Sequence, residues 1–78
     1  MNNNIFGENL RQLREENGLT QQALADMVMI SHQSISKWEL GITYPQVIWV
    51  YRIADVLRVN PERLIAHDQV RQIRELRQ

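Results

Sequence analysis

The sequence predicts an all-α fold: a compact domain of five short helices with a C-terminal tail. Three observations carry this reading. Apolar residues recur at intervals of three and four along most of the chain, the period of a helix with one buried face. Gly and Pro are scarce, 3 and 2 in 78 residues, and they fall where helices would start or stop. Thr20, Ser31 and Asn60 stand just before helical runs, where a helix needs a side chain to accept from its unpaired N–H groups.

The first helix is expected over residues 5–17, with Phe6, Leu10 and Leu13 facing inward and Gly18 ending it. Thr20 caps a second helix over residues 21–28, whose inward residues are Leu24, Ala25 and Val28. Met29 and Ile30 form the break. Ser31 caps a third helix over residues 32–40, with Ile35 and Trp38 inside, and Gly41 ends it. Pro45 suits the first turn of a fourth helix reaching about Leu57, with Val47, Val50, Ile53, Ala54 and Leu57 on the core side. The β-branched and aromatic run Val47-Ile48-Trp49-Val50-Tyr51 also fits a buried strand. The helical period continues through Leu57, which favours the helix. Asn60-Pro61 repeats the cap-and-proline signal and opens a short fifth helix carrying Leu64 and Ile65. Beyond it Val70, Ile73 and Leu76 are spaced by three, and that stretch reads as a sixth helix, an extension of the fifth, or a frayed end. The expected organisation is one domain over residues 5–66 and a tail over residues 67–78.

A chain of 78 residues supports one small core. Chains of about this size bury only about 60% of their unfolded surface, so pairing with a second copy would add stability. There is no cysteine, which excludes disulfides and thiolate metal sites. No apolar run approaches the roughly 20 residues that cross a bilayer, and Met1-Asn2-Asn3-Asn4 has no charged-then-apolar signal pattern. The expected location is the cytoplasm, with no membrane partner. Formal net charge is zero, unusual for a nucleic-acid binder, although a zero total can conceal a positive face.

Residues 20–41 have a special form: cap and helix, tight turn, cap and second helix. Such a pair can lay its first helix across a DNA backbone and put its second in the major groove. His32, Gln33, Ser36 and Lys37 share the outer face of the second helix, opposite Ile35 and Trp38. Each can hydrogen-bond a base edge or a phosphate. Gln matches the N6 and N7 of adenine, and Lys the O6 and N7 of guanine. Any surface helix has a polar outer face, so the face alone does not settle the matter.

The surrounding run narrows it. Gly18-Leu19-Thr20-Gln21-Gln22-Ala23-Leu24-Ala25, then Ile30-Ser31-His32-Gln33-Ser34-Ile35-Ser36-Lys37-Trp38-Glu39-Leu40-Gly41, then Pro45, Ile53-Ala54 and Leu57, resembles the λ repressor and Cro-type (XRE-like) helix-turn-helix family. The resemblance covers roughly residues 6–65. It implies a λ repressor-like DNA-binding domain, residues 20–41 as the helix-turn-helix and residues 32–40 as its recognition helix. His32, Gln33, Ser36 and Lys37 would then contact bases. Gln21 would meet phosphate at the start of its helix, and Ser31, Thr43, Tyr44 and Arg11 are the other candidates for backbone contact. Arg14 and Glu39 resemble the family's inter-helical ion pair. Two positions depart from the pattern. Met29 stands where members usually carry Gly in the turn, and Leu40 and Ile42 stand where basic residues are frequent.

No catalytic constellation is visible. His32 and His67 lie on different elements, and Ser31, Ser34 and Ser36 read as cap and surface. We expect no enzyme activity, no metal, no cofactor and no small-molecule ligand. The expected partner is double-stranded DNA, and the expected role is a transcriptional regulator, a repressor on a palindromic operator. The alternative is a protein-interaction module, antitoxin-like or anti-repressor, that keeps the fold with little DNA binding. Apolar residues off the core face of the fourth helix, Ile48, Trp49 and Val56, together with Val70, Ile73 and Leu76, point to a homodimer interface, the alternative being a tail that folds back over Trp49 within one monomer.

Overall fold

The computed structural model describes residues 4–65. They form four α-helices, α1 (Ile5–Glu16), α2 (Gln21–Val28), α3 (His32–Leu40) and α4 (Val47–Leu57), followed by a single 3-10 turn, Pro61–Arg63. The described residues contain no strand, so the run from Val47 to Tyr51 is helical. The expected fifth α-helix is a correction. Asn60 accepts from the Glu62 N–H and starts the turn, but Leu64 and Ile65 must drop into the core directly after it. Val70, Ile73 and Leu76, and the tail with them, lie outside the described residues.

Thr20 Oγ1 accepts from the Ala23 N–H at 3.0 Å, and Ser31 Oγ from the Ser34 N–H at 3.2 Å. These bonds satisfy donors that a helix start leaves unpaired. Helix α4 has no side-chain cap. It starts at Val47, two residues after a buried Pro45, so the proline precedes the helix and does not occupy its first turn.

All four helices end in the same way. After each, one residue turns left-handed and the next N–H reaches back to a carbonyl of the last turn: Leu19 to Arg14 (3.1 Å), Ile30 to Ala25 (3.0 Å), Ile42 to Lys37 (2.9 Å) and Val59 to Ala54 (2.9 Å). This is the Schellman closure, which normally takes Gly. Gly18 (φ 67°) and Gly41 (φ 76°) fill it after α1 and α3, but Met29 (φ 68°) and Arg58 (φ 58°) fill it after α2 and α4.

The core is built from Phe6, Leu10 and Leu13 of α1, Leu24, Ala25 and Val28 of α2, Ile35 and Trp38 of α3, Val50, Ile53, Ala54 and Leu57 of α4, and Leu64 with Ile65. Three expectations for α4 change. Val47 is 46% exposed, because it opens the helix and overhangs the packed layer. Trp49 and Val56 are partly buried against the core and do not lie wholly off it. The Trp49 ring sits 6.5 Å from Trp38, which in turn meets Phe6 edge-on at 6.4 Å. The apolar stripe of α4 is thus wider than the spacing of Val50, Ile53 and Leu57 alone suggests.

Gly7 brings α1 against the end of α3. A Cβ at this buried position would run into the Trp38 carbonyl and the Asn4 side chain. Asn4 Nδ2 in turn donates to the Glu39 carbonyl at 2.7 Å, in the last turn of α3, where carbonyls lack helical partners.

Candidate nucleic-acid interface

The turn between α2 and α3 presents the outer face of α3. Ile35 and Trp38 anchor the inner face, so His32, Gln33 and Lys37 stand exposed and Ser36 half-exposed. His32, Gln33, Ser36, Lys37, Leu40 and Ile42 line one shallow depression. Arg11, Arg14, Gln21, Ser36, Glu39 and Leu40 line another. Shared residues Ser36 and Leu40 make the two surfaces adjoin. The fold therefore brings Arg11 of α1 and Gln21 of α2 beside the α3 face, although they are far from it in sequence.

Beneath this surface lies an ion pair. Arg14 Nε donates to Glu39 Oε2 at 2.7 Å and Nη2 to Oε1 at 3.0 Å, a two-pronged contact with side chains only 11% and 4% exposed. Its Nη1 also donates to the Leu19 carbonyl at 2.8 Å. Hydrogen bonding to Glu39 holds the Arg14 guanidinium above the ordinary arginine range. The pair continues to the surface: Gln21 Nε2 donates to Glu39 Oε1 at 3.1 Å, and Gln21 Oε1 meets His32 Nε2 at 3.0 Å. A run of polar side chains thus extends from α1 through the buried carboxylate of α3 to the first residue of α3.

The other candidates are more scattered. Ser31 spends its hydroxyl on the cap and on Ser34 Oγ at 2.9 Å, while remaining exposed. Thr43 and Tyr44 are exposed in the loop after Gly41, the Tyr44 ring lying 5.3 Å from Phe6. Arg11 pairs with Glu15 at 2.8 Å on the surface of α1, a contact that lowers the Glu15 pKa and raises that of Arg11. Lys37 has no ion-pair partner among the described residues. Leu40 and Ile42 are 66% and 65% exposed on the same side, an apolar margin to a polar face.

Sequence reasoning did not find the link from Gln21 to Glu39 and His32, nor Asn4 as a partner of α3. Gln21 and Glu39 are 18 residues apart and Asn4 and Glu39 35 apart, on elements with no shared period.

With this geometry in hand, residues 10–64 match the family model for the helix-turn-helix, and the chain belongs to that family. It is 35% identical over 65 residues to the HTH-type transcriptional activator BcrR of Enterococcus faecalis, covering 83% of this chain and 32% of BcrR. The chain likewise spans 56% of the prophage-derived regulator YonR of Bacillus subtilis, so it corresponds to only part of these relatives. Among solved structures, the c2 repressor of Salmonella phage P22 bound to a synthetic operator superposes with TM-score 0.73 at 31% identity, covering 78% of this chain and 92% of that one.

Proposed function

We propose that this chain is a sequence-specific DNA-binding transcription regulator, a repressor that occupies a palindromic operator as a homodimer and excludes polymerase sterically. One observation carries the reading: the outer face of α3, with His32, Gln33, Ser36 and Lys37, adjoins Arg11 and Gln21 on a helix-turn-helix frame. In such frames the second helix enters the major groove and the start of the first faces phosphate. On this reading the four α3 residues contact bases. Gln21, Ser31, Thr43, Tyr44 and Arg11 contact the sugar-phosphate backbone. Operator-bound P22 c2 supports double-stranded DNA as the partner, and a cytoplasmic location fits that partner. No catalytic step is assigned.

Selection of bound sequences from random duplexes tests this. A single enriched palindrome is expected, and Gln33→Ala should weaken binding by about 1–3 kcal/mol and relax preference at one base pair. Uniform weakening on every sequence would remove Gln33 from the base-reading set.

Exposed Leu40 and Ile42 and the zero net charge favour a second reading, a protein-docking module on the same frame. The two separate on a duplex-DNA column. Retention at low salt with release by added salt marks DNA binding, because released counterions drive it. Passage without retention marks the docking module.

A further inference from the structure

The hydrogen bonds beneath α3 have a polarity, and it runs in one direction. Glu39 is a carboxylate, which only accepts. It takes two N–H groups from Arg14, and therefore the amino end of the Gln21 side chain must face it, at 3.1 Å. That orientation turns the Gln21 oxygen toward His32, 3.0 Å from Nε2. An amide oxygen also only accepts, so His32 Nε2 must carry the proton. In a neutral imidazole one nitrogen donates and the other accepts. Nδ1 is left as an acceptor, and no hydrogen bond to it is seen among the described residues.

We propose that the buried carboxylate of Glu39, acting through Gln21, fixes the tautomer of His32, and that His32 thereby selects a base bearing an amino group in the major groove. Those bases are adenine, through N6, and cytosine, through N4. Guanine and thymine present only acceptors at the corresponding places, N7 and O6 or O4, and would face Nδ1 lone pair to lone pair. Gln21 is then a positioning residue for base choice as well as a phosphate neighbour. This rests on the DNA-binding reading above.

The test uses the full chain at pH 8, above the ordinary imidazole range. Nitrogen-15 NMR of the His32 ring should show a single tautomer protonated at Nε2. Random-duplex selection should show adenine or cytosine at the position whose preference vanishes in His32→Ala, favoured over guanine by about tenfold. Gln21→Met keeps the side-chain length and removes the amide. It should mix the tautomers and shrink that preference severalfold, while preference at the Gln33 position persists. A purely structural role for Gln21 would weaken all sequences and leave the ratio and the tautomer unchanged. Helical content of Gln21→Met is checked by circular dichroism, and Gln21→Leu provides a second amide-free variant should it unfold. An Nδ1-protonated ring, guanine at the His32 position, or an unaltered ratio in the folded amide-free variant overturns the proposal with DNA binding intact. Absence of any duplex binding overturns the DNA-binding reading, and base selection by His32 with it.

Discussion

Arg14 and Glu39 meet with side chains 11% and 4% exposed, which makes their loss unequal to their gain. Two buried charges stabilise a fold little beyond well-packed apolar residues, but one left alone is costly. Glu39→Ala strands the guanidinium and also releases Gln21, so we expect a loss of about 3 kcal/mol in urea unfolding. The pair replacement Arg14→Met with Glu39→Leu should cost clearly less than Glu39→Ala alone. Equal costs would mean that the carboxylate does not compensate Arg14. At this scale legibility divides sharply. Arg14 and Glu39 could be matched as a pair because the family resemblance carries an inter-helical ion pair at these positions. The rest of the network could not, because the direction in which Gln21 turns its amide depends on a carboxylate 18 residues away.

The helix ends show what the elements require. Four closures demand a left-handed residue, and two have it without Gly. Such a conformation costs a side-chain-bearing residue roughly 1–2 kcal/mol, of which Gly's greater unfolded-state freedom takes back about 0.5–1. Met29 is 86% exposed and makes no core contact that Gly would forfeit. Met29→Gly should therefore be neutral or raise stability by up to about 1 kcal/mol in chemical unfolding. Arg58→Gly, on an exposed residue in the same closure, should behave alike. A loss above about 1 kcal/mol in either would show that the side chain does something the closure does not reveal. The bounds of α2 and α3 were legible because Thr20, Ser31 and Gly41 mark them with chemistry that acts locally. The fifth helix and the inward Val47 were not. There the outcome turned on where the chain had to descend into the core and on which end of α4 overhangs it, and neither leaves a local signal.

Charge placement governs the whole molecule's encounter with a polyanion. Near the α3 face Arg11 is held by Glu15 and Arg14 by Glu39, and Lys37 has no acidic partner among the described residues. Each neutralised phosphate contributes about −0.9 to the slope of log K against log salt. Lys37, joined by Arg11 where phosphate displaces the exposed Glu15, gives an expected slope of about −1 to −2 per monomer from fluorescence anisotropy across a salt series. A slope twice as steep would bring Arg71, Arg74 and Arg77 into contact with DNA. Assembly is the other question at this scale. Ile48 is 52% exposed on α4 beside Val47, whereas Trp49 packs on Trp38. Ile48→Glu should give folded monomers in sedimentation with most operator affinity lost, while Trp49→Glu should lower stability itself. An unmutated chain that sediments as a monomer at tens of micromolar, with Ile48→Glu binding normally, would remove the α4 interface.

The close seating of α1 on α3 has a mechanical consequence. Gly7 abuts the Trp38 carbonyl, Asn4 ties down the Glu39 carbonyl, and Arg14 grips the Glu39 side chain, so α3 is fastened to α1 along its second half. A rod fastened this way cannot tilt to follow an irregular groove. Where the groove and the fixed helix do not match, the duplex is then the more compliant body, and bending or twisting falls to it. The work of deforming it depends on the stiffness of base steps that no side chain touches. Operator choice would extend to those steps, and the flexibility of the spacer between half-sites would rank operators whose contacted bases are identical.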